Sequence, residues 1–188
     1  MSRILIVDDE QAILNSIRRL LRLVPCSCGG TTYELTVEAF TSPKAALERA
    51  AHAAFDLALV DYRMPEMDGI ELLRRLREIQ PDAARLILSG YADLNALVRA
   101  INEVEIYRFM AKPWNDYELV ATIGQALHNR ALMLENRDLA DQVRVDSGKL
   151  SREAIEARRL EAIEPGITRV NWGPDGSVLL DAEFQDLD

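Results

Sequence analysis

Four places in the chain carry residues that could act together on a phosphoryl group: Asp8-Asp9-Glu10, Asp61, Ser89 followed by Gly90, and Lys112 followed by Pro113. Three carboxylates (Asp8, Asp9 and Asp61) repel one another when brought close, and a hard cation relieves that repulsion. Mg²⁺ suits the role because it prefers oxygen ligands, keeps several waters and bridges carboxylates to phosphate. A hydroxyl and an amine beside such a cluster complete a set for in-line attack by a carboxylate on a phosphoryl donor. Mg²⁺ and Lys112 would offset charge on the phosphoryl oxygens, Ser89 would hydrogen-bond one of them, and Asp61 would be the nucleophile. Taken singly, each residue has a blander explanation, since a strand-end aspartate is more often a helix cap or a surface residue. The chemistry therefore depends on whether the chain brings these four points together.

Each of the four follows an apolar run. Ile4-Leu5-Ile6-Val7, Leu57-Ala58-Leu59-Val60 and Leu86-Ile87-Leu88 are short, continuous and bounded by polar or small residues. Such runs suit strands buried on both faces of a parallel sheet. Residues 33–40 and 106–110 place polar side chains within the run, as edge strands can. Between the strands, Ile13, Leu14, Ile17, Leu20, Leu21 and Val24 recur at helical spacing, as do Ile70, Leu72, Leu73, Leu76 and Ile79, and then Leu94, Leu97, Val98 and Ile101. This alternation predicts an α/β fold with right-handed crossovers and a doubly wound, five-stranded parallel sheet. The order 2-1-3-4-5 puts the topological switch between the first and third strands, and ligands bind beyond the carboxyl ends there. Asp8-Asp9-Glu10 and Asp61 end those two strands, so the carboxylates converge at the switch point.

At this point a resemblance can be named. Residues 1 to about 125 resemble the receiver domain of bacterial two-component response regulators, which is flavodoxin-like. The matching residues are Ile6-Val7-Asp8-Asp9, Leu59-Val60-Asp61-Tyr62-Arg63-Met64-Pro65-Glu66-Met67-Asp68-Gly69, Leu88-Ser89-Gly90-Tyr91 and Lys112-Pro113-Trp114. The resemblance implies that Asp61 becomes an aspartyl phosphate, with a histidine kinase or phosphotransfer protein as donor. It implies that Asp9 binds Mg²⁺ directly, together with Asp61 and the backbone carbonyl of Arg63, while Asp8 acts mainly through water. It implies that Lys112 pairs with the phosphoryl oxygens and that its bond to Pro113 is cis. Ser89 stands where the family has Ser or Thr, and Phe109 stands at the aromatic switch position. Phe in place of the commoner Tyr leaves a switch that rests on packing, and plain core packing is the alternative for that residue. Arg63, at the pocket mouth, either tunes phosphoryl lifetime or is simply solvated. A protein of this kind is not an enzyme beyond its own phosphorylation and dephosphorylation.

Composition limits the alternatives. With 188 residues the chain is long enough for one domain plus an appendage. A hydrophobic content of 48% beside 28% charged residues is ordinary for a soluble globular protein, and the cytoplasm is the default compartment. Net charge −9 argues against a nucleic-acid-binding surface, which needs a clustered Lys/Arg excess. No apolar run approaches a membrane span. Cys26 and Cys28 are too close for an easy disulfide and lack partners for a metal site. His52 and His128 stand without a motif.

Past the receiver-like part (1–125), two further regions are expected. Over 126–164 the fifth helix, starting near Asn115, runs on to about Ser147-Gly148. Leu132 and Leu139 are seven apart, as are Asn136, Val143 and Leu150. These are fragments of a coiled-coil seam that would make a homodimer, although Asp146 interrupts it. The alternative is a solvated helix rich in i,i+4 charge pairs. A second helix is expected from Ser151 to about Ile163, ended by Pro165-Gly166. Over 165–188, Gly173-Pro174-Asp175-Gly176 separates two strand-like runs and suggests a β-hairpin whose apolar face needs a partner. Residues 126–188 are too short and too acidic for the usual DNA-binding output domain, and hold no Gly-rich phosphate loop, His-Asp metal set or diguanylate cyclase signature. The stretch 107–114 looks like receivers joined elsewhere to hydrogenase regulators or HD-type phosphodiesterases, so the downstream protein is unknown. A phosphohydrolase with a covalent aspartyl intermediate is disfavoured, because Arg63 stands where a second acid is usual. A receiver-like module that is never phosphorylated is disfavoured by the complete acidic pocket with Lys112.

Overall fold

The structure is a computed structural model, and it describes residues 1–90, 104–147 and 151–163. The strands are β1 (Ser2–Val7), β2 (Cys26–Cys28), β3 (Thr31–Tyr33), β4 (Leu35–Phe40), β5 (Leu57–Asp61), β6 (Ala84–Ser89) and β7 (Arg108–Ala111). The described helices are α1 (Gln11–Leu23), α2 (Pro43–His52), α3 (Gly69–Ile79), α4 (Asp116–Asp146) and α5 (Arg152–Ile163). Five strands form one parallel sheet in the order β4-β1-β5-β6-β7. This is the expected 2-1-3-4-5 arrangement once the short β2-β3 pair is set aside.

Alternation along the strands divides the core into two layers. Leu5, Val7, Ala58, Val60 and Ile87 pack with α2 and α3 residues such as Ala46, Ala50, Leu72, Leu73 and Leu76. Ile4, Ile6, Leu57, Leu59, Leu86 and Leu88 pack on the other face with Leu14, Ile17, Leu119, Val120 and Ile123 from α1 and α4. Successive residues of a strand point to opposite faces, so a continuous apolar run fills both layers.

The bounds of the second and fifth strands differ from those expected. The run 33–40 is not one strand: Tyr33 closes an antiparallel hairpin with β2, and the sheet strand begins at Leu35. Gly29 and Gly30 both have positive φ (59° and 80°), the condition for a tight hairpin turn that glycine meets without strain. The hairpin lies on α4, where the Cys26 thiol points to the Val120 carbonyl (3.7 Å) and the Tyr33 hydroxyl meets His128 Nδ1 at 3.4 Å. The helix α2, implied by the crossover fold, had not been placed on particular residues. Its start carries a Ser42 cap accepting from the Ala45 amide and Pro43 in the first turn, but its buried face is mainly alanine and gives little apolar periodicity. The fifth strand is Arg108–Ala111, with Ile106 and Tyr107 ahead of it rather than within it.

The helical extension forms as expected. The Asn115 side chain caps α4 by accepting from the amides of Tyr117 and Glu118 (3.0 and 3.1 Å), and the helix continues for 31 residues. Ser151 caps α5 by accepting from the Ala154 amide. Ion pairs of Arg130 with Asp56 (2.7 Å) and Arg137 with Asp82 (2.6 Å) tie α4 to the amino-terminal end of the sheet, and Arg158 of α5 pairs with the buried Asp141 of α4 (2.8 Å). The expected helix around Leu94–Ile101 and the expected hairpin over 165–188 lie outside the described residues.

Candidate functional site

The site forms where four parallel strands end together. Asp8 directly follows β1, and its amide donates to the Phe40 carbonyl (3.2 Å), which extends the β1–β4 pairing by one step. Its carboxylate is fully buried and accepts from the Glu10 amide (2.9 Å). Asp61 is the last residue of β5, and the next amide, Tyr62, donates to the Leu88 carbonyl (2.8 Å), keeping β5 aligned with β6. The Lys112 amide donates to the Ser89 carbonyl (2.8 Å), so β7 and β6 also stay in step to their ends. The Lys112–Pro113 bond is cis, as expected.

Lys112 joins the two buried acids. Its Nζ lies 2.7 Å from Asp8 Oδ2 and 2.5 Å from Asp61 Oδ1, while Asp61 Oδ2 accepts from the Arg63 amide at 3.0 Å. Burial lowers the affinity of Lys112 for its proton, but its hydrogen bonds to the carboxylates of Asp61 and Asp8 outweigh that, leaving its pKa above the ordinary value. Burial pushes the Asp61 carboxyl up, and the hydrogen bond and charge of Lys112 oppose this without cancelling it. Two buried carboxylates thus share one ammonium.

The loop after Asp61 is held by residues whose importance the sequence reading did not draw out. Asp68 caps α3 by accepting from the Glu71 amide (2.8 Å). Gly69 donates its amide to the Tyr62 carbonyl (2.9 Å), and a Cβ there would stand 2.3 Å from the Asp61 carbonyl oxygen. An Asp-Gly pair opening an apolar-periodic segment is a legible cap signal. The close approach of Gly69 is not legible, because it depends on where β5 ends in space.

The other expected site residues are placed as follows. Ser89, at the end of β6, is buried, and its hydroxyl donates to the Gly90 carbonyl (3.0 Å). Phe109 on β7 is partly buried against the α2–α3 layer. Asp9 is exposed, so the structure brings two of the three acids together rather than three. Asp8 pairs directly with Lys112, and the Arg63 amide donates to Asp61. Among the described residues no group of three or more His, Cys, Asp or Glu side chains is assembled as a metal site. The donor chemistry nonetheless fits Mg²⁺: Asp8 and Asp61 offer hard oxygens, their combined charge exceeds that of Lys112, and Asp9 is the adjacent residue.

Comparison with known proteins agrees with this geometry. The family model described as "Response regulator receiver domain" matches residues 4–124. The hydrogenase transcriptional regulatory protein HoxA of Bradyrhizobium diazoefficiens is 33% identical over 152 residues, covering 79% of this chain and 29% of that protein. The response regulator protein TodT of Pseudomonas putida is 28% identical, with 87% of this chain and 65% of that protein covered. The chain thus spans less than a third of the hydrogenase regulator and about two thirds of TodT. Among solved structures, the signal receiver domain of an HD domain-containing protein from Pseudomonas fluorescens Pf-5 superposes with a TM-score of 0.63 at 34% identity, covering 71% of this chain and 92% of that one. A CheY-like receiver domain protein from Methanospirillum hungatei gives 0.60 at 30% identity, covering 71% and 98%. Hydrogenase-regulator and HD-type relatives both appear, as the stretch 107–114 suggested. Receiver domains of this kind interact with histidine kinases or phosphotransfer proteins and normally bind Mg²⁺ where they are phosphorylated. The chain belongs to the response regulator receiver family of two-component systems.

Proposed function

We propose that Asp61 is the phosphoryl acceptor and that its phosphorylation, by a histidine kinase or phosphotransfer protein, switches contacts with other proteins. The observation that carries this reading is Lys112, which sits 2.5 Å from Asp61 and 2.7 Å from Asp8 at the carboxyl end of the sheet. In the transfer, an Asp61 carboxylate oxygen bonds to phosphorus as the bond to the donor breaks, and the donor keeps that electron pair. Lys112 offsets charge on the phosphoryl oxygens after exchanging part of its pairing with Asp61 for them. Asp8, Asp9, Asp61 and the Arg63 carbonyl would hold Mg²⁺, which would supply positive charge to offset that of the phosphoryl oxygens. Ser89 then turns its hydroxyl from the Gly90 carbonyl toward the phosphoryl group, and Phe109 follows by packing into the space released.

The output is assigned to residues 126–164 as a dimerising helical extension of a receiver at 1–125, with 165–188 as a separate tail. Net charge −9 supports protein rather than nucleic-acid partners. Incubating the protein with acetyl phosphate, with and without Mg²⁺, tests the reading by intact mass. One added phosphoryl mass that requires Mg²⁺ is expected, and an unchanged mass in both samples contradicts it.

A further inference from the structure

Most arginines among the described residues are engaged by acids of the fold. Arg3 and Arg49 hold Glu38, Arg74 and Arg75 hold Glu71, Arg130 holds Asp56, Arg137 holds Asp82, and Arg144 and Arg158 hold Asp141. The outer face of α1 is different. Arg18, Arg19 and Arg22 lie within a little over one helical turn of one another, beside Asn15 and Leu23, and line a shallow surface pocket of about 380 Å³. No ion pair engages these three arginines among the described residues, and Leu23 is 74% exposed. On a chain of net charge −9, this is a concentrated positive surface with an apolar edge.

Residues 175–188 have the complementary composition. Asp175, Asp181, Glu183, Asp186 and Asp188 occur there without a single Lys or Arg, and Phe184 and Leu187 stand between the acids. The helix α1 runs back from the carboxyl end of β1, so Arg22 and Leu23 lie toward the amino-terminal end of the sheet. The last described residue of α5, Ile163, lines a cavity with Met1 and Arg3 at that same end. The 11 residues from 164 to 174 span up to roughly 36 Å when extended, about the width of a domain of this size. Reach is therefore no obstacle, and charge selects the surface.

We propose that the acidic segment 175–188 docks on the α1 face of its own chain, with carboxylates on Arg18, Arg19 and Arg22 and an apolar side chain on Leu23. Occupied in this way, the α1 face is closed to any other acidic partner until the segment is displaced. The docking is electrostatic, exposed and therefore weakened by salt.

Photo-crosslinking tests this on the full-length protein, with a benzophenone amino acid replacing Leu23 and a mixture of ¹⁴N- and ¹⁵N-labelled chains. The expected crosslinks join residue 23 to peptides within 175–188 of the same isotope. Raising NaCl to a concentration that shortens screening to about 3 Å reduces them about tenfold, the combined effect of three exposed pairs. Reversing Arg18, Arg19 and Arg22 to Glu has the same effect, as does reversing Asp181, Glu183 and Asp186 to Lys, while combining the two sets restores the crosslink. Crosslinks that avoid 175–188, that join different isotopes, or that persist in both charge-reversed variants overturn the proposal.

Discussion

Gly69 brings the backbone ahead of α3 against the end of β5. Any side chain there meets the Asp61 carbonyl oxygen, which is backbone and has no flexible end to yield. Gly69→Ala is expected to cost about 1–3 kcal/mol, the usual range for overpacking, and to slow phosphorylation of Asp61 by shifting its backbone. Urea unfolding checks the first effect and the labelling rate with acetyl phosphate checks the second. The chemically active residues were legible in the sequence because Asp8, Asp61, Ser89 and Lys112 all end apolar runs. Residues that act through their neighbours were not legible. Buried Gln80 accepts from the Phe55 amide and donates to the Ala50 and Ala53 carbonyls, satisfying the end of α2. Buried Arg85 donates to the carbonyls of Val104, Pro81 and Ala83. Nothing in their immediate sequence distinguishes them from surface residues, because the partners of Gln80 and the Val104 partner of Arg85 are set by tertiary contact.

At the scale of elements, the edge strand β4 is fastened by charge as well as by its ladder. Glu38 accepts from Arg49 of α2 at 2.7 Å and from Arg3 of β1 at 2.5 Å. The Arg49 hydrogen bond is the main cause holding its carboxyl below the ordinary range, against the opposing effect of burial. A depressed carboxyl pKa means a contribution that is complete above the unfolded-state value and disappears as pH falls through the folded one. Wild-type protein is therefore expected to lose about 1 kcal/mol more than Glu38→Gln on acidification from neutral pH to below the folded pKa, and denaturant melts at several pH values check this. A parallel loss in both proteins counts against the fastening role. Buried strands were readable from continuous apolar runs, whereas this edge strand was read two residues too early. Its polar alternation continued the hairpin before it, and the Gly29-Gly30 turn is the signal of that hairpin. The alanine-lined α2 left almost no periodicity to read.

Across the whole molecule, α4 does two jobs along its length. Leu119, Val120, Ile123, Ala126 and Leu127 are buried in the core, while farther on Leu132, Leu139 and Val143 are exposed at 43%, 61% and 67%. With the exposed Asn136, these residues step by four, three and four, the spacing of a coiled-coil seam. Asp141, by contrast, is buried and pairs with Arg158 of α5. The extension is thus anchored to its own chain on one side and presents an apolar seam on the other. Full-length protein is expected to sediment as a dimer, and Leu139→Glu as a monomer with an unchanged fold by circular dichroism. A wild-type monomer, with or without acetyl phosphate, contradicts this. The length of the helix was legible from the lack of any stop between Asn115 and Ser147, but its attachment through Arg130, Arg137 and Arg158 was not, since each acidic partner lies far off in sequence or on another element.

The central claim is that Asp61 itself takes the phosphoryl group, and the most direct test is to locate that group in the full-length chain. Protein treated with Mg²⁺ and acetyl phosphate is reduced with borohydride to trap the acyl phosphate, then digested and mapped by mass spectrometry beside an Asp61→Asn variant. That variant is expected to stay folded, because it removes a carboxylate disfavoured by burial and leaves Lys112 paired with Asp8. One modified residue, Asp61, is expected in the wild type and none in the variant. Equal labelling of both proteins, or a modification elsewhere in the chain, would contradict it.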